Sequence, residues 1–121
     1  MNYESTKTVA SSIMPGVKFG LRRISFRGRL ELLRAVRQVS GRQDFAAAGE
    51  SLADRLEAAV LEHELDEIYL RWGLVGIEGL ELDGNPATID TLLAHGPENL
   101  CQEVLAAIKQ DCGLTESEAK N

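Results

Sequence analysis

The densest group of chemically capable side chains in the 121-residue chain is Glu62-His63-Glu64-Leu65-Asp66-Glu67. Carboxylates and an imidazole one helical turn apart can share a cation. Helical two-metal sites also need a second ligand cluster of the Glu-x-x-His kind, and the sequence has none. On a helix, Glu62, Asp66 and Glu67 turn mostly away from the neighbouring apolar positions, so a solvated face outweighs a metal site. His95, Cys101 and Cys112 lack Cys-x-x-Cys spacing, and both thiols fall on one apolar stripe, where a free cysteine acts as a small hydrophobe. A cysteine nucleophile needs a paired base, and His95 precedes a helix that points Cys101 inward. Gly73, Gly76, Gly79 and Gly84 lack the strand–GxGxxG–helix order and the Gly-Lys-Ser/Thr ending of phosphate loops. They read instead as relief of crowding where the chain turns beside Trp72. No catalytic residue, metal or cofactor is expected.

A basic segment is the remaining signal. Arg22, Arg23, Arg27, Arg29, Arg34 and Arg37 are the candidate partner-binding residues. Residues 1–43 hold nine Lys and Arg against two acids, a net +7. The other four basic and seventeen acidic residues give −13, and the two parts add to the chain's −6. Arginines can neutralise phosphates. Helical spacing spreads these round the helix, however, and the only nearby aromatics, Phe19 and Phe26, are expected in the core. With a pI near 4.9 and no nucleic-acid fold signature, an acidic protein surface is the expected target, and nucleic acid ranks below it. The same split would let the two halves attract each other, within one chain or head to tail in a homo-oligomer.

The elements that must hold these residues follow from periodicity. Residues 1–12 are polar and small, a flexible arm or an edge strand. Pro15-Gly16 is turn chemistry, and Val17, Phe19 and Leu21 then alternate with Lys18, Gly20 and Arg22 as in a half-buried strand. A hairpin pairing about 7–14 with 17–24 is predicted, lying on helices because two strands alone are marginal. Ser25 caps a helix carrying Leu30, Leu33, Val36 and Arg37, with Phe26 one turn earlier and Gly41 at its end. A short helical turn at Phe45–Ala48 precedes Gly49.

Ser51, with Asp54 three residues on, starts a long helix that stops at Gly73. One stripe on it is Leu52, Leu56, Ala59, Val60 and His63, and the adjacent one is Leu61, Leu65, Ile68 and Trp72. Leu56, Val60, Leu65 and Ile68 are expected to be buried. A Gly-rich loop or small ribbon turning at Asp83-Gly84 follows. Then come a short helix over about Thr88 to Ala94 and a helix from Gly96-Pro97-Glu98, with Leu100, Cys101, Val104, Leu105, Ile108 and Cys112 on one stripe. Thr115 and Glu118 form a capping box with almost no helix after it. The expected fold is mainly α: about four helices, an N-terminal β-hairpin, and a Gly-rich loop or ribbon after the long central helix. The single helical domain should span 13–113, with 114–121 a frayed tail.

Apolar residues make up 44% of the chain and charged residues 26%, proportions that argue against global disorder. Apolar runs are too short and too interrupted by charge for a transmembrane helix. Two cysteines are too few for a disulfide framework, and Met1-Asn2-Tyr3-Glu4-Ser5 lacks the basic and apolar regions of a secretory signal. A cytoplasmic protein is the expectation.

Several runs carry a resemblance. Lys7-Thr8-Val9, Pro15-Gly16-Val17-Lys18-Phe19 and Ile24-Ser25-Phe26, leading to Arg29-Leu30-Glu31-Leu32, resemble the opening of small tail-assembly proteins of tailed bacteriophages and prophages. The similarity continues through Tyr69-Leu70-Arg71-Trp72-Gly73-Leu74, Glu78-Gly79-Leu80-Glu81-Leu82-Asp83-Gly84 and Gly96-Pro97-Glu98 to the ending Cys112–Asn121. Where a basic residue is expected before Lys120-Asn121, this chain has Ala119. The resemblance implies a non-catalytic tail assembly chaperone in the host cell cytoplasm. Such a protein holds the tape-measure protein, or tail-tube subunits, soluble before assembly. The alternatives are a minor structural virion or adaptor protein and a nucleic-acid-binding regulator using the basic segment 18–42. The structural virion or adaptor protein would be present in purified particles, from which a chaperone would be absent.

Overall fold

The computed structural model describes residues 1–112. The chain is mainly helical, with an N-terminal hairpin. The hairpin pairs β1 (Thr6–Ala10) with β2 (Lys18–Arg22) antiparallel, in a register that sets Val9 against Phe19. Its turn follows from Pro15-Gly16. Proline presets one central position, Gly16 takes the other at φ +89°, and the Val17 amide closes on the Met14 carbonyl at 3.2 Å. Val17, Phe19 and Leu21 are buried while Lys18 and Arg22 are exposed, as the alternation requires.

Helix α1 (Phe26–Ala47) is capped by Ser25, whose hydroxyl accepts from the Gly28 amide at 2.9 Å. The helix does not end at Gly41. It runs through that glycine, and Phe45–Ala47 is its last turn and not a separate one. A glycine inside a helix costs about 1 kcal/mol relative to alanine, too little to break a helix supported on both sides. Helix α2 (Leu52–Gly73) is capped by Ser51 through the Asp54 amide and ends where expected. Gly73 is buried there, and a Cβ on it would lie 2.7 Å from an Ile108 methyl, so the lack of space excludes larger residues.

The Gly-rich stretch divides in two. Strand β3 (Leu74–Glu78) adds to the hairpin, giving an antiparallel sheet of order β1-β2-β3 with a register shift between Gly20 and Leu21. This third strand departs from the expected loop, because its pairing partner lies more than fifty positions away and leaves no local signal. Strands β4 (Glu81–Leu82) and β5 (Asn85–Pro86) form the expected ribbon, turning at Asp83 and Gly84 with both φ positive. Helix α3 (Ile89–His95) begins at a capping box between Thr88 and Thr91. Helix α4 (Glu98–Cys112) buries Leu100, Val104, Leu105, Ile108 and Cys112.

The core joins Phe19 and Leu21 of the sheet, Leu32 and Val36 of α1, Tyr69 and Leu70 of α2, Leu92 of α3 and the apolar face of α4. Lys7 reaches Asp111 at 2.8 Å, and Ser11 and Ser12 both donate to Glu103, so polar contacts fasten the hairpin to α4. The expected 114–121 tail, with its Thr115–Glu118 box, lies outside the described residues.

Candidate protein-binding surface

Among the described residues, no hydrophobic side chain between Val36 and Leu65 joins the main core cluster or packs against it. The second half of α1 and the first half of α2 therefore form a two-helix arm, about 16–20 Å long at 1.5 Å per residue. Its own seam holds buried Ala46 and Leu61. Among the described residues one ion pair crosses it, Arg42 to Glu57 at 3.9 Å, with both side chains more than half exposed.

On this arm the sequence expectation fails. Leu56 is 59% exposed and Val60 52%, and Leu52 at the arm's tip is 68% exposed. Leu65 and Ile68, expected to be buried, are partly buried and pack against the core. The cause is geometric. Both α2 stripes have helical period, but the stripe through Leu52 and Leu56 faces away from α1. It meets other structure from His63 onward, where His63 and Asp66 border a cleft against α3 and α4, Lys109 of α4 holds Asp66, and Leu70 is buried. Before that point nothing in the described residues covers it. Phe45, on α1 near the tip, is 85% exposed beside a shallow groove of about 410 Å³ between the two helices.

The six arginines do not form one patch. Arg22 lies over the Trp72 ring, 5.3 Å from its centroid, and Arg23 lies over Tyr3 at 5.8 Å. Arg29 donates to the Cys112 carbonyl at 2.8 Å. Only Arg27, Arg34 and Arg37 remain together on the outer face of α1. Phe26, expected in the core, is 98% exposed on that same face, and Leu30 is 45% exposed beside it. The N-cap at Ser25 fixes the helix phase so that Leu32 and Val36 turn inward and Phe26 outward.

The acidic run disperses likewise. Asp66 is engaged by Lys109 at 3.0 Å, and Glu67 lies 4.0 Å from Arg71, which Asp90 holds more closely at 3.0 Å. Among the described residues, no three His, Cys, Asp or Glu side chains converge as a metal site would need. Burial, helped by Glu98, pushes the Cys101 thiol above its usual pKa, and Cys112 is raised by burial and by Asp111, with Arg29 opposing. Both are free, and elevated thiols make poor nucleophiles at neutral pH. No helix of the described residues is long and apolar enough to cross a membrane.

The exposed stripe was detectable in the sequence only as a second apolar face on one helix. Its surplus over what the small core could cover is the signal that could have marked it. No protein-family model matches the chain, and no curated protein or solved structure does.

Proposed function

We propose that the chain is a non-catalytic tail assembly chaperone that binds a long helical partner, the tape-measure protein or a tail-tube subunit, in the cytoplasm. The observation that carries this reading is the two-helix arm with Leu52, Leu56 and Val60 open to solvent. A protein with no partner gains nothing by leaving such a row uncovered, because contiguous exposed apolar surface marks binding sites or aggregation risk. An amphipathic helix laid along apolar residues four apart is an established recognition mode. The resemblance to phage tail-assembly proteins supplies the class of partner, and the basic face with Arg27, Arg34 and Arg37 supplies a second surface that would favour acidic segments.

The test is co-expression with a candidate phage tape-measure protein. The chain should raise the soluble tape-measure fraction several-fold and be absent from purified particles. Leu56→Asp with Val60→Asp should abolish the gain while leaving the thermal melt of the chain unchanged. A tape-measure protein equally insoluble with and without the chain refutes the reading. Recovery of the chain in particles would favour the structural virion protein instead.

A further inference from the structure

At the base of the arm a cleft of about 310 Å³ separates α2 from α3 and the start of α4. His63, Glu67 and Leu70 form one wall, and Leu93, Glu98 and Cys101 the other. Leu70 and Leu105 give it an apolar floor. The cleft continues the exposed stripe. Leu52, Leu56, Ala59, His63, Asp66 and Leu70 are spaced alternately four and three residues apart, the pattern with which one helix seats another. The seam so defined runs about 27 Å along α2, exposed from Leu52 to His63 and flanked at Asp66 and Leu70 by α4, whose Lys109 holds Asp66.

Charge decides what fits. Asp66, Glu67 and Glu98 surround the cleft, and Glu98 has no cation within ion-pair distance among the described residues. Lys109 answers Asp66, but Arg71 is shared between Glu67 and Asp90, so the rim is net negative. The exposed cations Arg27, Arg34 and Arg37 lie on α1, away from this seam.

We propose that the α2 seam and its cleft dock a basic amphipathic helix of a partner protein. An apolar side chain enters between Leu70 and Leu93, and flanking Lys or Arg residues pair with Glu67 and Glu98. This deepens the chaperone reading and rests on it, for it names the sign and shape of the segment recognised. An acidic helix would be repelled here and drawn to α1 instead.

Fluorescence anisotropy with two labelled model helices of about three heptads tests it, the helices sharing one leucine pattern and differing only in Lys or Glu elsewhere. The Lys helix should bind at least tenfold more tightly than the Glu helix. Glu67→Gln with Glu98→Gln should weaken it fivefold or more. Glu4→Gln with Glu31→Gln makes the same net-charge change away from the seam and should leave affinity unchanged, melting curves confirming the fold of each variant. Equal affinity for both helices, or equal loss in both double variants, overturns the proposal. So does a result in which Glu67→Gln with Glu98→Gln dissolves a homo-oligomer without changing helix affinity, since the occupant is then a second copy. Failure here with tape-measure solubility still raised leaves the chaperone reading standing and removes only this docking mode.

Discussion

Ser11 and Ser12 direct two hydroxyls and one amide at the Glu103 carboxylate, at 2.6, 2.6 and 2.7 Å. These hydrogen bonds favour the charged form and hold the Glu103 carboxyl below the ordinary glutamate range, the Ser11 bond contributing most. Because the folded-state pKa is depressed, the resulting stability is fully present above the unfolded value near 4.3 and is lost as pH falls through the folded one. The site is solvent-exposed, so screening keeps the effect small. Glu103→Gln should lower Tm by roughly 2–5 °C at pH 7. The gap between variant and parent should start to narrow below about pH 4 and close as pH falls through the lowered folded-state pKa, where the parent carboxylate also takes up its proton. A gap that does not narrow at all as the solution is acidified until the parent unfolds would show that the charge is irrelevant. None of this was legible in the sequence, where Ser11 and Glu103 are ninety-two positions apart. The caps were legible. Ser25, Ser51 and the Asp83-Gly84 turn act within three residues, and local hydrogen bonding decides them.

Helix α2 shows where periodicity stops being informative. A period of 3.6 states that a face is apolar and not what covers it. Leu61 and Leu56 illustrate the difference: one is 1% exposed in the seam with α1, the other 59% exposed on the outer stripe. Leu61→Ala should destabilise by about 2–5 kcal/mol, toward the lower end because a two-helix seam can partly collapse. Leu56→Ala should cost under about 0.5 kcal/mol. Urea denaturation of both variants checks the pair. Similar losses at the two positions would mean the outer stripe is covered in the free protein. The contrast also separates fold from binding, since Leu56 then matters only when a partner is present. Strand β3 was missed for a related reason. Its Gly76 looks like a loop residue until β2 is brought alongside, and β-pairing depends on neighbours more than on local preference.

At the scale of the molecule, stability and exposed surface are divided unequally. Among the described residues, the sheet, α3, α4 and the inner halves of α1 and α2 share one continuous core, whereas the arm has only its own seam. The charge split follows a different boundary: a basic face on α1 and an acidic seam on α2, on the two sides of the same hairpin of helices. Regions with few buried apolar contacts open locally at low free energy, and binding elements are drawn from them. Amides of residues 38–47 and 53–60 should therefore exchange at least tenfold faster than those of β2 and of α4 around Val104 and Leu105. The helices are still formed there, so circular dichroism should show no corresponding loss of helix. Hydrogen exchange followed by mass spectrometry on the free chain measures this directly. Bound to a helical partner along α2, residues 53–60 should gain the protection they lack, because covering Leu56 and Val60 removes the water that drives their opening. An arm as protected as α4 in the free chain would place a stabilising contact on the outer stripe already, and an arm unchanged by a bound partner would move the docking site elsewhere on the molecule.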